Sequence, residues 1–190
     1  LGVAFPNWNQ SIGLGAILGQ KFINAGKINP LHPEQWDYID RPMAISKFYG
    51  GSHALVGSGL QFNYGLPLPF FSQLELGYWK ISEHEEEEES ADHGTEYENA
   101  LLSGRSWNSF ALSDSKELQW GISYLIGNPG STSADEMQHS LGTDLTWTNE
   151  LSRGRHLKIQ AEYIQNSYGE DGESVEDQTG GYLSAIYKIN

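Results

Sequence analysis

Apolar residues recur at every second position along most of this chain. In "SIGLGAILGQKF", residues 11–22, Ile12, Leu14, Ala16 and Leu18 fall on one side and Gly13, Gly15 and Gly19 on the other. "VGSGLQFNYGL" sets Leu60, Phe62, Tyr64 and Leu66 against Gly59, Gln61, Asn63 and Gly65. "SQLELGYWK" sets Leu74, Leu76 and Tyr78 against Gln73, Glu75 and Gly77. The pattern returns in "ELQWGISYLIG", "SLGTDLTWTN" and "HLKIQAEYIQ". Period two is the signature of a strand with one apolar and one polar face. Two further strands are expected around residues 101–112 and 181–189. The first of these has mixed faces and its inside is not assigned.

The connections alternate in length. Residues 67–70, 113–116 and 150–155 are short turns, while 23–53, 82–99, 128–138 and 168–180 are long and polar. An antiparallel meander of about eight strands would place every long loop at one end. A β-sandwich has no such asymmetry. Transmembrane β-barrels do, with strands of roughly ten residues, and they turn their apolar face to lipid. The fold expected is therefore all-β, an antiparallel transmembrane β-barrel with long extracellular loops and short periplasmic turns. A soluble β-sandwich binding protein is the alternative from another class. Residues 1–190 read as a single barrel segment, and the Gly-rich polar face suits a barrel wider than eight strands, so a fragment of a larger barrel is expected.

Charge and composition narrow the functions. With 25 acidic against 11 basic residues the net charge is -14, which argues against a nucleic-acid partner. No cysteine is present, so disulfides and thiolate metal sites are excluded. Gly26–Lys27 is not a phosphate-binding loop, because Lys21 and Ile28 stand where glycine and Ser or Thr are required. No G-x-S-x-G nucleophile elbow occurs, and no enzymatic activity is expected.

"GQKFINAGKINPLHPEQWDYIDRP" followed by "GSGLQFNYGLPLPFFSQLELGYW" resembles a family of porin-like Gram-negative outer-membrane barrels. The resemblance continues through "LLSGRSWNSFALSDSKELQWGISYLIG", covers nearly the whole chain and is most specific in the "GKINPLHP" segment. Some members are labelled zinc-regulated or TonB-dependent outer-membrane receptors. Members are roughly twice this length. The resemblance implies a place in the bacterial outer membrane, the lipid bilayer as partner, and passage of small hydrophilic solutes or metal ions. It leaves room for a homo-oligomer. A zinc-capturing receptor barrel is the alternative it implies.

Three groups of residues are candidates for function. Alternation places Gln61, Asn63, Gln73, Glu75, Gln119, Ser123, Asp144, Thr146, Lys158, Gln160 and Glu162 on the pore side, a mixture that mildly favours cations. In the long loop 23–53, prolines stiffen the chain around His32, with Asp37, Asp40 and Arg41 nearby. With aromatic anchors Trp36, Tyr38, Phe48 and Tyr49, that loop is expected either to fold inward as a constriction or to pack on a barrel rim. In the acidic loop 82–99, His84, His93, Glu83, Glu85 and Asp92 offer imidazole and carboxylate ligands without fixed spacing. That loop reads as a solvated tip or as a weak collector of zinc or another divalent cation. No cofactor is required.

Overall fold

The computed structural model describes residues 2–4, 14–32, 35, 37, 40–49, 55–81, 97–129, 137–169 and 176–189. Alternation becomes one antiparallel sheet. Its strands are β1 (Gly2–Ala4), β2 (Leu14–Phe22), β3 (Val56–Gly65), β4 (Phe71–Ile81), β5 (Tyr97–Ser113), β6 (Lys116–Pro129), β7 (Met137–Glu150), β8 (His156–Gly169) and β9 (Glu176–Lys188). They pair strictly in chain order, so β1 and β9 are the edges and the sheet is open. The fold is thus all-β with eight long strands plus the short β1. A sandwich needs a second sheet, and the described strands form one.

Strand lengths exceed the apolar runs. β5 begins at Tyr97 rather than near residue 101, and β8 and β9 pair out to Tyr168↔Glu176, shortening the expected 168–180 loop. The reason is that ladder hydrogen bonds need only backbone, so polar residues extend a strand beyond its hydropathy signal. The register also settles the mixed faces of β5. Glu75↔Arg105 and Arg105↔Ser123 place Arg105 on the same face as Glu75 and Ser123.

The polar face is the buried one. Gln61, Glu75, Arg105, Ser123, Asp144, Gln160 and Glu162 are buried, while Leu76, Tyr78, Tyr124, Leu141, Tyr163 and Leu183 lie open on the other face. We call the first the inner face and the second the outer face. The inner face is covered by the described residues between 23 and 49, where the sequence pattern suggested only loop; this segment includes α1 (Met43–Phe48) after Pro42. Ile23, Ala25, Ile28, Ile45, Phe48 and Tyr49 form a core with Trp79, Leu125 and Ile164 of the inner face.

The apolar band of the outer face runs obliquely to the ladder. From Leu76 in β4 the rungs lead through Gly104, Tyr124, Leu141 and Gln165 to Thr179 in β9. The apolar residues of β9, however, are Leu183, Ala185 and Tyr187, centred about six residues further on. At ~3.4 Å per residue and ~4.8 Å between strands, that is ~20 Å of slip across ~24 Å, so the strands tilt ~40° to the normal of the band.

Candidate functional site

The covering segment is held by polar contacts that reach across the inner face. Asn24 donates to the Glu75 carboxylate, and Lys21 donates to Asn24 (3.2 Å) and to Gln61 (2.9 Å). The backbone N–H of Gly26 donates to Ser123 Oγ at 3.0 Å, and that of Lys27 reaches Glu162 Oε2 at 3.3 Å. Gly26 adopts φ +63°, in the left-handed region, and a Cβ there would fall on the Glu162 carboxylate. Glycine is therefore required both by conformation and by space. Lys27 extends to Gln119, with its ammonium 5.5 Å from the Trp107 ring centre. Burial lowers the Lys27 pKa, while the nearby Asp144 works in the opposite direction.

Asn29 ties the segment to itself. Its amide donates to the carbonyls of Ile23 (2.8 Å) and Leu55 (3.2 Å), and its Oδ1 accepts from Leu55 N (2.9 Å) and Arg41 Nη2 (2.7 Å). Burial pushes the Arg41 pKa down to about 10, although the Glu162 charge works to raise it. Further along, Asp37 takes Lys158 Nζ at 2.9 Å on one oxygen and Lys188 Nζ on the other. Burial works against the charged Asp37, but hydrogen bonds from Lys188 and Lys158 outweigh it and lower its pKa.

Beneath the segment lies a buried polar cluster. Arg105 Nη1 stands 2.8 Å from Asp144 Oδ2 and 2.6 Å from Ser123 Oγ. The Arg105–Asp144 approach is an ion pair without hydrogen-bond alignment, since neither Asp144 oxygen has a hydrogen-bond partner among the described residues. Asp144 is directly opposite Glu162, and Thr146 opposite Gln160. Tyr182 Oη donates to Glu162 Oε2 at 3.2 Å. The Tyr49 hydroxyl, Thr146 Oγ1, Gln160 Oε1 and Glu162 Oε1 are buried without a hydrogen-bond partner among the described residues. Burial raises the Tyr49 pKa well above that of a free tyrosine. Gly142 leaves room for the Tyr49 hydroxyl, which a Cβ would meet at 2.8 Å, and Gly180 leaves room for the Phe48 ring. Glycine at 26 fits the segment against the inner face, and glycine at 142 and 180 accommodates its aromatic rings.

All eleven residues expected on the pore side share the inner face by register. Gln61, Glu75, Ser123, Asp144, Thr146, Gln160 and Glu162 are buried there, and Asn63, Gln73, Gln119 and Lys158 are partly exposed. Of the four loop residues, Asp37 and Arg41 join the inner-face network. His32 is exposed and stacks edge-on against Phe22 with ring centres 4.6 Å apart, and Asp40 is exposed. Trp36 and Tyr38 lie outside the described residues, as do His84, His93, Glu83, Glu85 and Asp92. No cluster of three or more metal-ligating side chains occurs among the described residues.

Sequence reasoning missed Arg105, Asn24, Asn29 and Lys188. Arg105 was the one charged residue in the middle of the mixed strand, a signal that could have marked it as inner-facing. The two asparagines carry no periodic signal, because their partners lie in the loop or on a distant strand. No protein-family model, curated protein or solved structure matches the chain.

Proposed function

We propose that this chain forms wall of an antiparallel β-barrel in a bacterial outer membrane, porin-like, through which small hydrophilic solutes or ions pass. The observation that carries the reading is the inversion of the two faces. The Arg105–Asp144 ion pair and Glu162 are buried, whereas Leu76 is 65% exposed and Leu183 76% exposed. In water an extended apolar surface of this kind is unfavourable, and soluble monomers rarely expose one. In lipid it is the required arrangement, with polar residues turned to the interior. The ~40° obliquity of the apolar band supports the same reading, because barrel strands tilt ~35–45° to the membrane normal. Lipid satisfies no backbone edge, so in the membrane β1 and β9 must find strand partners from elsewhere.

Residues 23–49 act as the constriction. They meet the inner face at the level of the outer apolar band: Ser123 and Glu162 stand on strands whose outer faces carry Ile122, Tyr124 and Tyr163. Solutes then pass between this segment and the wall, or pass when the segment moves. The candidate zinc ligands of the acidic loop lie outside the described residues, and the zinc-capturing alternative has no observation here in its favour.

Refolding into phospholipid vesicles tests the proposal. The protein should float with the vesicles and resist extraction by carbonate, and Leu141→Arg should destabilise the inserted state by about 2–4 kcal/mol. A protein that stays soluble without detergent, or one in which Leu141→Arg is neutral, overturns the membrane reading. Current across a planar bilayer then tests passage, and an inserted protein without current overturns the channel reading alone.

A further inference from the structure

The paired lysines of β8 and β9 are unusual in where their counter-charge comes from. Lys158 and Lys188 sit on the same face of adjacent strands, in diagonal register through His156↔Lys188 and Lys158↔Ile186. Like charges so placed repel. Their inner-facing strand neighbours are His156, Ile186, Thr148, Gln160 and Ser184, and none of these is a carboxylate. The negative charge arrives from the covering segment: one Asp37 oxygen takes Lys158 and the other takes Lys188. Lys27 adds a third cation whose field reaches Lys158, with Glu117 and Asp144 as the acids facing it and Arg105 as a further cation. At the two amines themselves, two cations face the single carboxylate of Asp37, within a chain of net charge -14.

Two amines gripping the two oxygens of one carboxylate form a receptor for an oxyanion. The geometry points to Lys158 and Lys188 as a binding site for a carboxylate or phosphate group of a small solute, with Asp37 as the internal occupant that the solute displaces. The solute class deepens the passage reading and rests on it; the exchange of one anion for another at the two amines does not. Lys188 has half of its side chain exposed, which gives the incoming anion a way in. Displacing Asp37 removes one of the contacts holding residues 23–49 on the inner face, so occupancy also loosens the constriction. Selection at this point favours anions, against the mild cation preference that the composition of the pore side suggests.

The absence of cysteine supplies a clean reporter. Ala25 lies on the segment and is fully buried between it and the inner face, and a cysteine there is open to a maleimide only when the segment lifts. The probes are inorganic phosphate and succinate, with sodium chloride at equal ionic strength as control, on protein refolded in detergent micelles. Labelling of Ala25→Cys should rise with either probe and saturate, and chloride should leave it near its starting rate. Adding Asp37→Asn should speed labelling about tenfold without any anion, the factor for losing one charge-assisted hydrogen bond, and should remove the response to the probes. Lys188→Gln, an exposed edge position, should abolish saturation while leaving the sheet intact by circular dichroism. Saturation by phosphate alone or by succinate alone assigns the site to that class of solute. Equal acceleration by chloride, a rate indifferent to both probes, or an unchanged rate in Asp37→Asn overturns the proposal. Vesicle flotation of the same sample reads membrane insertion separately, so failure here and failure of the barrel reading are distinguishable.

Discussion

Replacing Gly26 with alanine attacks the segment at its tightest seat on the wall. Gly26 holds φ +63°, and a side chain in that conformation costs about 1 kcal/mol for an L-residue. The new methyl group falls on the Glu162 carboxylate, which must move or push the segment away. If the segment lifts, the 3.0 Å bond from Gly26 N to Ser123 Oγ goes with it, worth about 1 kcal/mol. The two together lower the docking free energy by about 2 kcal/mol, and each 1.4 kcal/mol is a factor of ten, so local opening becomes about 30-fold more frequent. Hydrogen exchange at the amides of Ile23, Ala25 and Ile28 reads this directly, while the β6–β7 ladder should exchange as before. Gly154→Ala is the matched control: Gly154 has φ +71° in the exposed turn between β7 and β8 and makes no contact with Ser123 or Glu162, so it carries the same conformational cost without the seat. If Gly26→Ala leaves exchange at residues 23–28 unchanged, or if Gly154→Ala accelerates it equally, the seat on Ser123 and Glu162 is not what holds the segment.

Other expectations follow from the buried cluster and the lysine pair. Arg105→Leu strands Asp144 as an uncompensated buried charge and should destabilise by about 3–5 kcal/mol, measured as a shift of the urea midpoint; the double variant Arg105→Leu with Asp144→Leu should recover most of the loss. Tyr49→Phe deletes a buried hydroxyl that has no partner among the described residues, so stability should hold or rise by about 1 kcal/mol, and a fall of that size would show a hydrogen bond at this site. Asp37 has a folded pKa below its ordinary value of 3.8. Its contribution is therefore fully present above the unfolded pKa and is lost as pH falls through the folded pKa. Hydrogen exchange in residues 23–49 should quicken at that acidic end, and Asp37→Asn should flatten the response.

The strands were legible because alternation is local: Leu74, Leu76 and Tyr78 against Gln73, Glu75 and Gly77 state two faces with no knowledge of what covers either. That is why all eleven expected inner residues share a face in the sheet. β5 was not legible, since Leu101 and Leu102 put apolar bulk on both parities, and only pairing with Glu75 and Ser123 decided where Arg105 points. Which of the two faces is buried was likewise decided by the tertiary structure, through the segment laid over the polar one. The docking of that segment has no periodic trace. Lys27 meets Gln119 across 92 positions and Asp37 meets Lys158 across 121, and such pairs come together through register and shape rather than spacing. The sequence by itself determined strands, their order and the composition of each face, because those follow from backbone geometry and near neighbours. Tertiary structure alone decided what fills the space over the polar face, because that depends on complementarity between residues far apart in the chain.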